Sequence, residues 1–201
     1  MKQSLRIAIA EDEPDMREYL EKTLPLLGHQ VVASARNGRE LIDVCATTQP
    51  DLVLTDIKMP EMDGIEASQQ IVLKNPVPFI LISGHQEPEL LERAGADYIL
   101  AYLVKPIKQT DLPPAITIAM RRHEQFNALK DEAANLRQAL EDRKLVERAK
   151  GILMRRASVD EQEAFNRLRK TATERRQKLV EVAKMILAVE ELSMPGNHSM
   201  R

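Results

Sequence analysis

Three carboxylates and one ammonium stand at the ends of apolar runs in this chain. Glu11 and Asp12 directly follow the run at 7–10, Asp56 ends a second run, and Lys105-Pro106 ends a third. If the runs 5–10, 52–55 and 99–104 are neighbouring parallel strands, their carboxyl ends converge, and open α/β sheets hold ligands at that edge. Carboxylates crowded away from water need a cation, and an all-oxygen site that keeps several waters suits Mg2+. Glu11, Asp12 and Asp56 are therefore candidate metal ligands. A carboxylate can also act as a nucleophile and form an aspartyl phosphate, provided the charge on the phosphoryl oxygens is neutralised by a metal and a cation. Lys105 supplies that cation, and Ser83, at the end of the run 78–82, adds a hydroxyl able to bond a phosphoryl oxygen. Singly, each is an ordinary loop or turn residue; the combination points to phosphoryl transfer.

Alternating elements position these groups. Strands are predicted over 5–10, 30–34, 52–55, 78–82 and 98–104, and helices over 14–27, 39–46, 65–73 and 87–94. Such alternation implies a parallel sheet covered by helices on both faces. The continuous apolar stretch Phe79-Ile80-Leu81-Ile82 is what a doubly covered strand requires. After Pro113-Pro114 the pattern turns helical, and residues 115–154 hold no proline and only one glycine, Gly151. Within that helix Phe126, Leu129, Ala133, Leu136 and Leu140 recur at steps of three and four, the seam spacing of a coiled coil. A capping box at Ser158-Val159-Asp160-Glu161 starts a second helix, and a third runs over 175–191. Ala149, Ile152, Leu153, Ala164, Phe165, Leu168 and Ala172 are expected to form a small core with that third helix, with Gly151 permitting close helix packing.

The set Glu11-Asp12, Asp56-Ile57-Lys58-Met59-Pro60-Glu61-Met62-Asp63-Gly64, Ser83-Gly84 and Lys105-Pro106 resembles a two-component response-regulator receiver domain over roughly residues 4–120. The resemblance implies a flavodoxin-like, doubly wound, five-stranded parallel sheet. It makes Asp56 the phospho-acceptor, with Mg2+ held by Glu11, Asp12, Asp56 and the backbone carbonyl of Lys58. It places Lys105 on the phosphate, with a cis bond to Pro106, and makes Ser83 and Tyr102 a switch pair. A histidine kinase is the implied phosphodonor.

A second resemblance covers roughly residues 135–192. Ala139-Leu140, Arg143, Ala149-Lys150-Gly151-Ile152-Leu153-Met154, Glu163-Ala164-Phe165, Leu168-Arg169, Ala172 and Leu179-Val180-Glu181-Val182-Ala183 are similar to the ANTAR output domain of transcription antitermination regulators. It implies RNA as the partner, in the form of paired stem-loops of a leader transcript. Lys150, Arg155, Arg167, Arg169, Arg175 and Arg176 are the expected RNA contacts, from helical position and this likeness. Phe165 is expected in the core, which leaves arginines to read the RNA.

Charge agrees with this division. Residues 1–118 carry 11 Lys and Arg against 18 Asp and Glu, and residues 119–201 carry 18 against 13, within a net charge of −2. An acidic front suits a metal-phosphate site, and a basic rear suits an anionic partner. The single Cys45 excludes an internal disulfide and fits a reducing cytoplasm. No apolar run reaches membrane-span length and no signal-peptide core is evident, so no membrane association is expected and the protein is placed in the cytoplasm.

Together these features give a receiver at 1–120, a coiled-coil linker helix at 121–139, a three-helix RNA-binding domain at 140–192 and a flexible tail at 193–201. The function expected is a phosphorylated response regulator acting by RNA-binding antitermination, as a homodimer through the long helix, the receiver or both. The alternative is a helical output that binds DNA or a protein. Enzymatic turnover is not expected, because Lys58 stands where a phosphohydrolase would want a second Asp as general acid.

Overall fold

The computed structural model describes residues 4–84 and 98–193. The chain divides into two units, residues 1–128 and residues 129–201. The helix expected over 87–94 and the tail from 194 onward lie outside the described residues.

In the first unit, β1 (Arg6–Ala10), β2 (Gln30–Ala35), β3 (Leu52–Asp56), β4 (Phe79–Ser83) and β5 (Ile99–Val104) form one sheet in the order β2-β1-β3-β4-β5. All four neighbouring pairs are parallel. Helices α1 (Pro14–Leu26), α2 (Gly38–Thr48) and α3 (Gly64–Lys74) return the chain between strands, and α4 (Leu112–Ala157) leaves β5 through a 3-10 turn at Gln109–Asp111.

Because side chains alternate across a strand, each strand feeds two cores. Ile7, Ile9, Leu54, Ile80 and Ile82 pack with Leu20 and Leu24 of α1 and with Leu112, Ile116 and Ala119 of α4. Ala8, Ala10, Val53, Phe79 and Leu81 face the other way, against Leu41 and Cys45 of α2 and Ile65 and Ile71 of α3. This two-sided burial is why the strands read as continuous apolar runs. Pro113 and Pro114 lie inside α4 rather than ahead of it. They fall in its first turn, where the missing N–H groups would have had no intrahelical partner.

The second unit holds the rest of α4 with α5 (Glu161–Arg175) and α6 (Leu179–Ser193). Ala149, Ile152, Leu168, Ala172, Val182, Ala183 and Leu187 make its core. Four sequence expectations are corrected here. Phe165 does not belong to this cluster and is only half-buried. The cap of α5 is Asp160, whose side chain accepts from the Glu163 N–H, while Ser158 sits at φ +50° in the turn after α4. Gly151 has no helix pressed against it, since a Cβ there would meet only Arg155 Nη1, at 3.7 Å. The third helix also begins at Leu179, later than Arg175, because Arg175 still belongs to α5 and Arg176 ends that helix at φ +54°. Among the described residues no helix is long and apolar enough to cross a membrane.

Candidate functional site

The register of the sheet brings the chemistry-bearing residues to one edge. Ala10 pairs with Thr55, Asp56 with Ile82, and Ser83 with Val104, so the last residues of β1, β3, β4 and β5 line up. The Lys105 N–H then donates to the Ser83 carbonyl at 2.8 Å, which ties the two loops together. The Lys105–Pro106 bond is cis.

Glu11, Asp12 and Asp56 each present a carboxylate oxygen within 4.8 Å of the others. Lys105 Nζ donates to Asp56 Oδ2 at 2.6 Å and to Glu11 Oε1 at 3.0 Å, and lies 3.9 Å from Glu13 Oε1 at the rim. Glu11 is wholly buried and Asp56 nearly so. Burial pushes the Glu11 carboxyl up to about 7, and the hydrogen bond from Lys105 only partly offsets that. Burial pulls the Lys105 ammonium down, but its bonds to Asp56 and Glu11 win and leave it raised. Glu11 Oε2 is buried with no hydrogen-bond partner among the described residues. An acceptor-only carboxylate oxygen left in that state calls for a cation, and a donor set of oxygens alone fits Mg2+.

Local structure holds the acidic loops in place. Arg17, one turn into α1, donates from Nη1 to the carbonyls of Glu11 at 2.8 Å and Asp12 at 3.3 Å. The Lys58 N–H donates to Asp56 Oδ1 at 3.3 Å. Gly64 opens α3 so close to β3 that a Cβ would lie 2.1 Å from the Asp56 carbonyl oxygen. Asp63 caps that helix by accepting from the Glu66 N–H at 2.7 Å. Of these, Arg17 was not singled out in the sequence; only its place five residues after Asp12 could have pointed to it. Tyr102, opposite Leu81 in the register, is 37% exposed beside Val104 at 48%.

The six basic residues expected to touch RNA do not form one face. Lys150 is buried and its Nζ lies 2.6 Å from Glu147 Oε2 and 2.7 Å from Glu161 Oε1, so its charge is compensated within the unit. Arg167 pairs with Glu163 at 2.8 Å. Arg169 is exposed two residues further on, about 200° round the helix from Arg167. Arg175 donates to Met185 Sδ at 3.8 Å, and Arg176 ends α5 exposed. Arg155 is exposed and flanks Gly151 together with Arg148, a residue missed in the sequence. The spacing of seven residues between the two arginines was the available signal.

Comparison with known proteins separates the two units in the same way. The family model for the response regulator receiver domain matches residues 7–117, and that for the ANTAR domain matches residues 134–187. The chain is 40% identical over 190 residues to the transcriptional regulatory protein PdtaR of Mycobacterium tuberculosis, covering 94% of this chain and 92% of that protein. A shorter likeness, 39% over 104 residues, is to a protein-glutamate methylesterase/protein-glutamine glutaminase of Carboxydothermus hydrogenoformans, and covers 47% of this chain and 29% of that enzyme. Among solved structures, the signal receiver domain of a modulated diguanylate cyclase from Desulfovibrio desulfuricans is similar with a TM-score of 0.57 and 27% identity, over 61% of this chain and 98% of that chain.

Proposed function

Since the chain belongs to the response regulators that join a receiver domain to an ANTAR domain, we propose that it is phosphorylated on Asp56 by a histidine kinase and acts by binding RNA to antiterminate transcription. The observation that carries the reading is Lys105 Nζ held 2.6 Å from Asp56 Oδ2 within a cluster of three carboxylates. In the transfer, an Asp56 carboxylate oxygen attacks the phosphorus of a phosphohistidine. The O–P bond forms as the P–N bond breaks and the electron pair stays on that nitrogen; the proton carried by the other ring nitrogen of the phosphohistidine makes the leaving group a neutral imidazole. Glu11, Asp12, Asp56 and the Lys58 carbonyl would hold Mg2+, which neutralises charge on the transferring phosphoryl group. Lys105 adds a fixed positive charge on the same group, and its two hydrogen bonds keep it aimed there.

Ser83 and Tyr102 convey the change in this reading. Ser83 stands at the end of β4, joined by its carbonyl to Lys105, and its hydroxyl turns to the phosphoryl oxygen while the Tyr102 ring moves inward. Two copies then pair along Phe126, Leu129, Ala133, Leu136 and Leu140, all of which are exposed on α4. Pairing presents two RNA-binding units to two stem-loops, and the second contact becomes intramolecular and tighter overall. Kinase, protein and nascent transcript meet in the cytoplasm. The chain is a regulator and not an enzyme with a substrate of its own, and its likeness to the methylesterase spans only 29% of that protein.

The test is a titration of tandem stem-loop RNA against a matched DNA duplex at fixed salt, with and without a small phosphodonor plus Mg2+. RNA-selective binding that tightens with the donor is the expected result. Equal weak binding to both nucleic acids would remove antitermination as the output.

A further inference from the structure

Gly151 lies inside α4, six residues before its end at Ala157, and within a helix glycine is the poorest former apart from proline. Nothing in the packing of the unit requires it. A Cβ at this position would make only an ordinary contact, at 3.7 Å, with Arg155 Nη1. A helix that accepts this weakness on an open face has a use for the space.

The space is a recess of about 540 Å3 between α4 and α6. Ile152 and Leu187, both almost fully buried, form its apolar floor. Gly151 opens one wall, and Arg148 and Arg155, seven residues apart and so on one helix face, flank it. Neither arginine makes an ion pair or hydrogen bond to a side chain among the described residues, in contrast to Lys150, Arg156 and Arg167. Glu147, Glu190 and Glu191 stand at the rim, the first paired with Lys150 and the second with Arg156. Three carboxylates disfavour a phosphate in this recess. An apolar floor, two planar guanidinium groups and carboxylate acceptors instead match a flat heterocycle that stacks on its faces and donates hydrogen bonds from its edge.

We propose that this recess takes an unpaired nucleobase from an RNA loop, with Gly151 leaving room for the ring and Arg148 and Arg155 stacking against it. The proposal rests on the RNA-binding reading given above and names the place where sequence is read, as distinct from where the RNA backbone is held. It also assigns Gly151 a role that its packing does not.

The experiment separates stability from recognition. A tandem-hairpin RNA is selected on the full-length protein from a library with randomised loops, and Kd is measured for the wild type, Gly151→Ala and Gly151→Leu alongside thermal unfolding of each. Gly151→Ala should unfold at a higher temperature yet bind at least tenfold more weakly, a pairing that a structural glycine would not produce. Single abasic substitutions are then walked through the loops of the same RNA. One position should weaken wild-type binding strongly and leave Gly151→Leu, whose recess is filled, almost unaffected. If Gly151→Leu binds as tightly as the wild type, or every abasic position weakens both proteins alike, the recess does not hold a base. If selection yields no RNA that the wild type binds, the RNA-binding reading itself falls and takes the recess with it.

Discussion

Lys105 and Asp56 are 49 residues apart in the chain, yet their Nζ and Oδ2 atoms lie 2.6 Å apart at the carboxyl edge of the sheet. The same ammonium reaches Glu11, so one cation offsets two buried carboxylates. Lys105 therefore occupies the charge that a metal ion would otherwise meet in full. We expect Lys105→Met to bind Mg2+ more tightly than the wild type, because one competing cation has gone. Phosphorylation from a small donor should fall about a hundredfold, because the transferring group loses a fixed charge. Calorimetric titration with Mg2+ and the intact-mass gain of one phosphoryl group read the two effects. Equal losses in both would place Lys105 in a general structural role.

Gly64 is a different kind of glycine from Gly151. A Cβ there would lie 2.1 Å from the Asp56 carbonyl oxygen and 2.8 Å from Thr55 Oγ1, and neither backbone nor buried strand can give way cheaply. Gly64→Ala should lower stability by about 1–3 kcal/mol, the usual cost of overpacking. Phosphorylation should slow more than the stability loss explains, since the strained atom belongs to Asp56, the proposed phospho-acceptor. Urea unfolding and donor-dependent phosphorylation measured on one preparation provide the comparison.

The start of α5 distinguishes two candidate caps. Asp160 accepts from the Glu163 N–H at 2.8 Å, and Ser158 lies outside the helix at φ +50°. Asp160→Ala should cost about 1 kcal/mol. Ser158→Gly should be neutral or slightly stabilising, because glycine adopts positive φ without steric cost. Thermal unfolding of the two variants settles which residue caps the helix.

Cys45 is 1% exposed on the inner face of α2, and burial pushes its thiol up to about 12. Thiolate is the reactive species, so the folded protein should resist disulfide-exchange reagents at pH 8. In denaturant the same thiol should react at the rate of a model peptide. A fast reaction of the native protein would show that α2 opens locally, independently of global unfolding.

Much of the architecture was legible in the sequence because its causes are local. An unbroken apolar run such as Phe79 to Ile82 can be satisfied only by cover on both faces, and alternation with helices then imposes parallel pairing. Acidic residues directly after β1 and at the end of β3 must then meet at one edge, and the structure brings Glu11, Asp12 and Asp56 within 4.8 Å. The absence of helix breakers likewise announced α4, now seen to run from Leu112 to Ala157.

Partnership between distant side chains was decided by the tertiary structure alone. Lys150 reads as one more basic residue on a helix, but α5 brings Glu161 within 2.7 Å and consumes its charge. Phe165 reads as core, yet the rotation of α5 buries Ala164 and Leu168 and leaves the ring half-exposed. Gly151 reads as a packing residue, yet the helices leave its face open. Periodicity determines which residues share a helix face; which face is buried, and which charge is neutralised, depends on distances between elements that only the packed fold defines.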